Sequence, residues 1–134
     1  MYETLLFLHL LSAFVAFVTV AVFGAYALGA RVGRADFLVA DWAWNVSGTG
    51  LLVFGVWLTL YLDGYELWDG WILGALGLFI VASGFGALAR NGAVGAIESI
   101  DGSPTADRRM ALWHWLRTLS LIGILALMIW KPGA

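Results

Sequence analysis

The sequence predicts an all-α transmembrane four-helix bundle, and three observations lead there. Four long apolar runs, near residues 4–30, 42–62, 71–90 and 111–130, fill about two thirds of the 134-residue chain. Each is long enough to cross a hydrocarbon core of roughly 30 Å, which takes about 20 apolar residues in a helix. Only 12% of the residues are charged, about half of what a soluble domain carries. Finally, the connections alternate in sign. The first holds Arg31 and Arg34, the second Asp63, Glu66 and Asp69, and the third Arg90, Arg108 and Arg109. Lys131 is the single base on the side of the termini, so the positive-inside bias predicts N-out and C-out.

Composition also excludes function classes. The length allows one compact domain. A net charge of −2 leaves no basic surface for nucleic acid. Cysteine is absent, which removes disulfides, thiolate metal sites, iron–sulfur clusters and cysteine nucleophiles. Ala25-Tyr26-Ala27 has the small-x-small form of a cleavage site. The preceding apolar run is nevertheless longer than a signal peptide's, and Met1-Tyr2-Glu3-Thr4 has no base, so it is expected to remain as a span.

Lipid offers backbone groups no partners, so the spans must be helices with their polar side chains turned inward. At 100° per residue, span one aligns His9, Ser12, Ala16 and Thr19, with Gly33 as its expected stop. Span two presents Asp41, Asn45, Gly48, Thr49, Leu52, Val56 and Thr59. Its connection to span three is short, which predicts adjacent antiparallel neighbours. Asp69 is placed to cap span three, whose expected inner face is Gly70, Gly74, Gly77, Val81, Gly84 and Leu88. Apolar residues at Ala89, Ala93, Ala96 or Ile97, and Ile100 carry the helical period past the membrane edge. Asp101-Gly102 then breaks it, and Ser103 with Pro104 opens helix four early. Helices three and four are thus expected to protrude on the cytoplasmic side. Span four presents His114, Arg117, Thr118 and Leu121.

The aromatics fall into two belts suited to the membrane interfaces. Tyr2, Tyr61, Tyr65, Trp68, Trp71 and Trp130 lie at the outer one; Trp42, Trp44, Trp113 and Trp115 lie at the inner one. Two rows of small residues permit close helix approach. One is Gly70, Gly74, Gly77 and Gly84 on helix three, and the other is Ala21, Ala25 and Gly29 on helix one. Together they point to a homo-oligomer.

Asp41, Asn45, His114 and Arg117 gather at the inner ends of helices two and four. Arg117 lies roughly 9 Å inside its span at 1.5 Å per residue, where a charge must snorkel or be paired. The expected arrangement is a clamp in which Asp41 and Asn45 accept from Arg117; the alternative is an inner vestibule for an anionic ligand, headgroup or partner. His9 lies near the outer side and His114 near the inner. Their depths differ by on the order of 15–20 Å within a core of about 30 Å, which disfavours a haem held by both within one protomer. Ligation by one of them, or across protomers, stays open. Met110 and His114, at i and i+4, form a conceivable copper(I) pair without a third ligand. No hydrolytic triad, phosphate loop or mid-membrane acid is present.

Leu5-Leu6-Phe7-Leu8-His9-Leu10-Leu11-Ser12-Ala13 resembles the histidine-bearing first span of small bacterial four-span membrane proteins of unknown function. Trp113-His114-Trp115-Leu116-Arg117-Thr118 and Met128-Ile129-Trp130-Lys131-Pro132 resemble their last span. These families are similar in outline to copper-resistance D-type four-helix membrane proteins. The resemblance covers about 30 residues at the two ends. It implies a bacterial cytoplasmic membrane and marks His9 and His114 for testing as haem or metal ligands.

The expected function is non-catalytic: a small bundle in the lipid bilayer that assembles with itself or serves a larger membrane complex, with no cofactor. A haem-binding or electron-transfer protein using His9 or His114 is the alternative. An oligomeric small-solute transporter or channel gated at Asp41, Asn45 and Arg117 is the second.

Overall fold

The computed structural model describes residues 1–31, 33–62, 64–98 and 108–132. Among them all regular structure is helical, in four elements: α1 (Tyr2–Ala27), α2 (Arg34–Tyr61), α3 (Gly70–Glu98) and α4 (Arg108–Trp130). All four are long and apolar enough to cross a membrane. At 1.5 Å per residue they measure roughly 35–44 Å, more than a hydrocarbon core. The excess falls mainly on α2 and α3, at the end carrying the α1–α2 and α3–α4 connections, called here the arginine end. The opposite end carries both termini and is called the terminal end.

Protrusion of α3 to Glu98 follows the apolar period. That of α2, which begins eight residues before Trp42, was not expected. The physical reason is that Phe37 and Ala40 are buried against α1, continuing the inner face of α2 beyond its hydrophobic run. Gly33 is not the stop of α1 but the residue before α2, in an extended conformation. Helix α1 ends at Gly29, whose φ of +95° only glycine adopts without strain. There Ala30 N–H reaches Ala25 O and Gly29 N–H reaches Tyr26 O, closing a Schellman cap. Asp69 does not cap α3 with its side chain: Oδ2 accepts the N–H of Glu66 at 3.1 Å, bracing the turn before the helix. Ser103 and Pro104 lie outside the described residues.

The chain packs as two hairpins, α1 with α2 and α3 with α4, joined chiefly where α1 meets α4. Helices α2 and α3, though joined by a short connection, are not packed neighbours, so a cleft runs between them. On α1, Ala16 and Thr19 are buried and His9 and Ser12 half-buried, as the helical period predicts. On α4, His114, Arg117 and Leu121 are buried as expected.

Helix α3 is rotated from expectation. Its buried residues are Ile72, Ala75, Ala82, Gly86, Ala89 and Ala93. Gly70, Gly77, Val81, Gly84 and Leu88 are exposed, and a Cβ added at any of those three glycines would touch nothing within 4 Å. Only Gly74 of that row packs, against Leu127. The row Ala21, Ala25 and Gly29 is exposed as well.

Candidate functional site

The cleft contains two cavities. The larger, at the arginine end, has a volume of about 500 Å³ and collects Asp41, Asn45, Met110, His114 and Arg117, joined by Arg90. Five of the sequence-derived candidates therefore meet around one space. His9 lines the second cavity, of about 280 Å³, at the terminal end, so the two imidazoles face different spaces.

Arg117 is the hub of the larger cavity. Only 3% exposed, it extends from α4 and touches each of the other helices. Its guanidinium carbon lies 4.8 Å from the ring centroids of both Phe23 on α1 and Trp44 on α2. Its stem crosses α3 at Gly86, where an added Cβ would come within 3.1 Å of Cδ. A larger residue at Gly86 would displace the arginine. Trp44 is thus not an interface anchor: it is buried and stacks on a cation. Cation–π contacts of this kind give about 0.5–2 kcal/mol, more when water is excluded.

The polar network around Arg117 fixes a tautomer. Nη2 lies 3.3 Å from His114 Nδ1, and a guanidinium only donates. Nδ1 therefore accepts, which makes the ring neutral with its proton on Nε2. That nitrogen faces Thr118 Oγ1 at 3.5 Å, and the hydroxyl donates to His114 O at 3.0 Å. Both ring nitrogens are engaged and the residue is 2% exposed, so His114 braces Arg117 in this arrangement. Close contact with Gly24, where a Cβ would meet Nε2 at 3.2 Å, holds the ring against α1.

The expected clamp is rearranged. Asp41 Oδ2 accepts from Arg90 Nε at 2.8 Å, across the cleft from α2 to α3. Asn45 donates to the backbone of Asp41 in its own helix, and its side chain is exposed. The reason is exposure: Arg90 is 46% exposed and Asp41 15%, so these two charges meet without full desolvation. Arg117 is buried and packs among rings and an imidazole, within reach of the Asp41 charge but not paired with it. Its Nε is buried without a hydrogen-bond partner. The charged side chains lining the cavity are thus Asp41, Arg90 and Arg117, two cations against one anion.

Sequence reasoning missed Arg90, Phe23, Gly86 and the cation-binding role of Trp44. Arg90 carried a signal, since it and Asp41 are opposite charges at the same end of sequential antiparallel spans. The aromatic and glycine contacts carried none.

At the terminal end the second cavity is almost wholly apolar. His9 lies close against Gly55, and its Nδ1 is buried without a hydrogen-bond partner. Lys131 donates to Tyr65 Oη at 2.9 Å and lies over the Tyr65 ring, tying α4 to the α2–α3 connection. No set of three or more metal-ligating His, Cys, Asp or Glu residues occurs among the described residues.

Fold and site together define a four-helix chain of two hairpins with a cationic cavity in the cleft between them. Comparison with protein-family models, curated proteins and solved structures found no match to this chain.

Proposed function

We propose that this chain is an integral membrane protein of non-catalytic function that binds an anionic group in the arginine-end cavity. The observation that carries this reading is Arg117: a buried guanidinium facing a 500 Å³ space, with no carboxylate in contact. A buried cation is costly unless an anion compensates it. Asp41, the one carboxylate lining the cavity, pairs with Arg90 while its charge also reaches Arg117, so two cations share one anion. The volume lies within the roughly 300–1,000 Å³ of small-molecule sites. The bases in the first and third connections support placing the arginine end in the cytoplasm, where the cavity opens at the level of the inner-leaflet headgroups.

A lipid headgroup and a free anion share this chemistry, and one experiment separates them. Native mass spectrometry of the protein released from maltoside micelles is expected to retain phosphatidylglycerol in preference to phosphatidylcholine. Arg117→Gln is expected to lower that occupancy at least tenfold. Thermal stabilisation by inorganic phosphate alone would identify a free anion instead. Equal retention of the two lipids, unchanged in Arg117→Gln, would remove the reading.

The exposed row Gly70, Gly77 and Gly84 supports a second role compatible with the first, association of α3 with another copy or with a larger membrane complex.

A further inference from the structure

We infer that the bound molecule is a long-chain lipid with an anionic head, one chain running along the cleft from the arginine-end cavity into the terminal-end cavity. This rests on the anion-binding reading and adds the ligand class to it. Four observations carry it.

The two cavities adjoin, with Leu52 and Phe79 lining both. Phe79 reaches across to Gly48, so its ring is the partition that a chain passing from one to the other must turn aside. Their chemistry is graded. The first holds Asp41, Arg90 and Arg117, and the second is walled mainly by residues such as Ala16, Val56, Ile72 and Ala75, with Lys131 held by Tyr65 at its terminal end. A charged head at one end and a hydrocarbon chain at the other match that gradient. No polar ligand would desolvate into the second cavity without loss.

The orientation agrees with the bilayer. Asp41 and Arg90 lie in the arginine-end halves of their helices, and the apolar cavity runs from mid-helix to the terminal end. A lipid of the adjacent leaflet therefore enters with its head already at the right depth. Asn45, Thr49 and Leu52 on α2 and Ala87 on α3 line the cavity and are exposed. The cavity thus faces the side of the bundle, where the Asp41–Arg90 pair bridges the two helices, and no charge has to cross the hydrocarbon.

Length then narrows the class. From Asp41 to Thr59, which line the two cavities, α2 rises about 27 Å. One leaflet supplies only about half of a roughly 30 Å core. A chain that fills both cavities must reach past the midplane. The terminal cavity, at about 280 Å³, is the space that such a chain enters.

The test uses octyl phosphate and hexadecyl phosphate at matched micellar mole fraction, with occupancy of the whole chain read by native mass spectrometry. Hexadecyl phosphate is expected to show at least tenfold higher occupancy. Val56→Trp fills the terminal cavity and is expected to bring the two within about twofold, leaving octyl phosphate unchanged. Arg117→Gln is expected to lose both. Octyl phosphate bound in an Arg117-dependent way without a chain-length advantage would overturn this inference and leave the anion site standing. Loss of Arg117 dependence for both lipids would overturn the anion reading itself. Should Val56→Trp fail to fold, the wild-type protein decides. A hexadecyl phosphate with a diazirine at its chain end is expected to label Ile72 or Met128, and labelling confined to lipid-facing residues such as Phe14 or Ile80 would overturn the inference.

Discussion

Arg117 is held by shape as much as by charge. Its planar guanidinium lies 4.8 Å from two ring centroids, and its fork points Nη2 at His114. A lysine would keep the charge and lose both the stacking and the directed hydrogen bond. Each lost cation–π contact costs about 0.5–2 kcal/mol, and the freed ammonium would turn toward the helix ends, where Asp41 is nearest in charge. Arg117→Lys is therefore expected to lower anion occupancy by about tenfold and to lower the thermal midpoint, although the formal charge is unchanged. Occupancy and midpoint equal to those of the wild type would show that charge alone holds the site.

At the scale of the helix, legibility depends on contrast. Span four was readable because His114 and Arg117 stand out in an apolar run and lipid forces them inward. Span three offered no such marker. Lipid and bundle interior are equally apolar, so hydropathy does not rank its faces, and small size became the only guide. Two small rows compete there. The glycine row looks like a packing seam, but the alanine row Ala75, Ala82, Ala89 and Ala93 is the one that packs, since a methyl group adds contact without preventing close approach. The partner of Asp41 was misjudged for a related reason: face analysis placed Arg117 near it, while the nearer Arg90 lay on the helix whose rotation was misread. The outward glycines make a prediction. Gly77→Ala with Gly84→Ala meets no atom within 4 Å, so the bundle is expected to gain about 0.5–1 kcal/mol per site from helix propensity. Crowding of a packed face would instead lower the midpoint. If α3 joins a second copy, the same variant is expected to lose the self-associated fraction in sedimentation; an unchanged mass distribution would remove this face as the interface.

For the whole molecule, the decisive feature is that two well-packed hairpins meet along α1 and α4 and part along α2 and α3. A lipid entering from the side requires the parted edge to widen, and the Asp41–Arg90 pair is the charged bridge across it. Arg90 is 46% exposed, and a pair so open to solvent contributes about 1 kcal/mol or less. That corresponds to roughly a fivefold change in the balance between narrow and wide clefts, enough to bias the edge and too little to lock it. The chain has no cysteine, so Thr49→Cys and Ala87→Cys place spin labels on exposed positions facing each other across the cleft. Asp41→Asn is expected to broaden their distance distribution toward longer separations. The exchange Asp41→Arg with Arg90→Asp is expected to restore the narrow distribution, because the bridge is remade with its charges reversed. Asp41→Asn also leaves two guanidiniums uncompensated beside the cavity, so anionic lipid occupancy is expected to rise as the cleft widens. A distribution indifferent to both changes would mean that helix packing, not this ion pair, sets the width of the cleft.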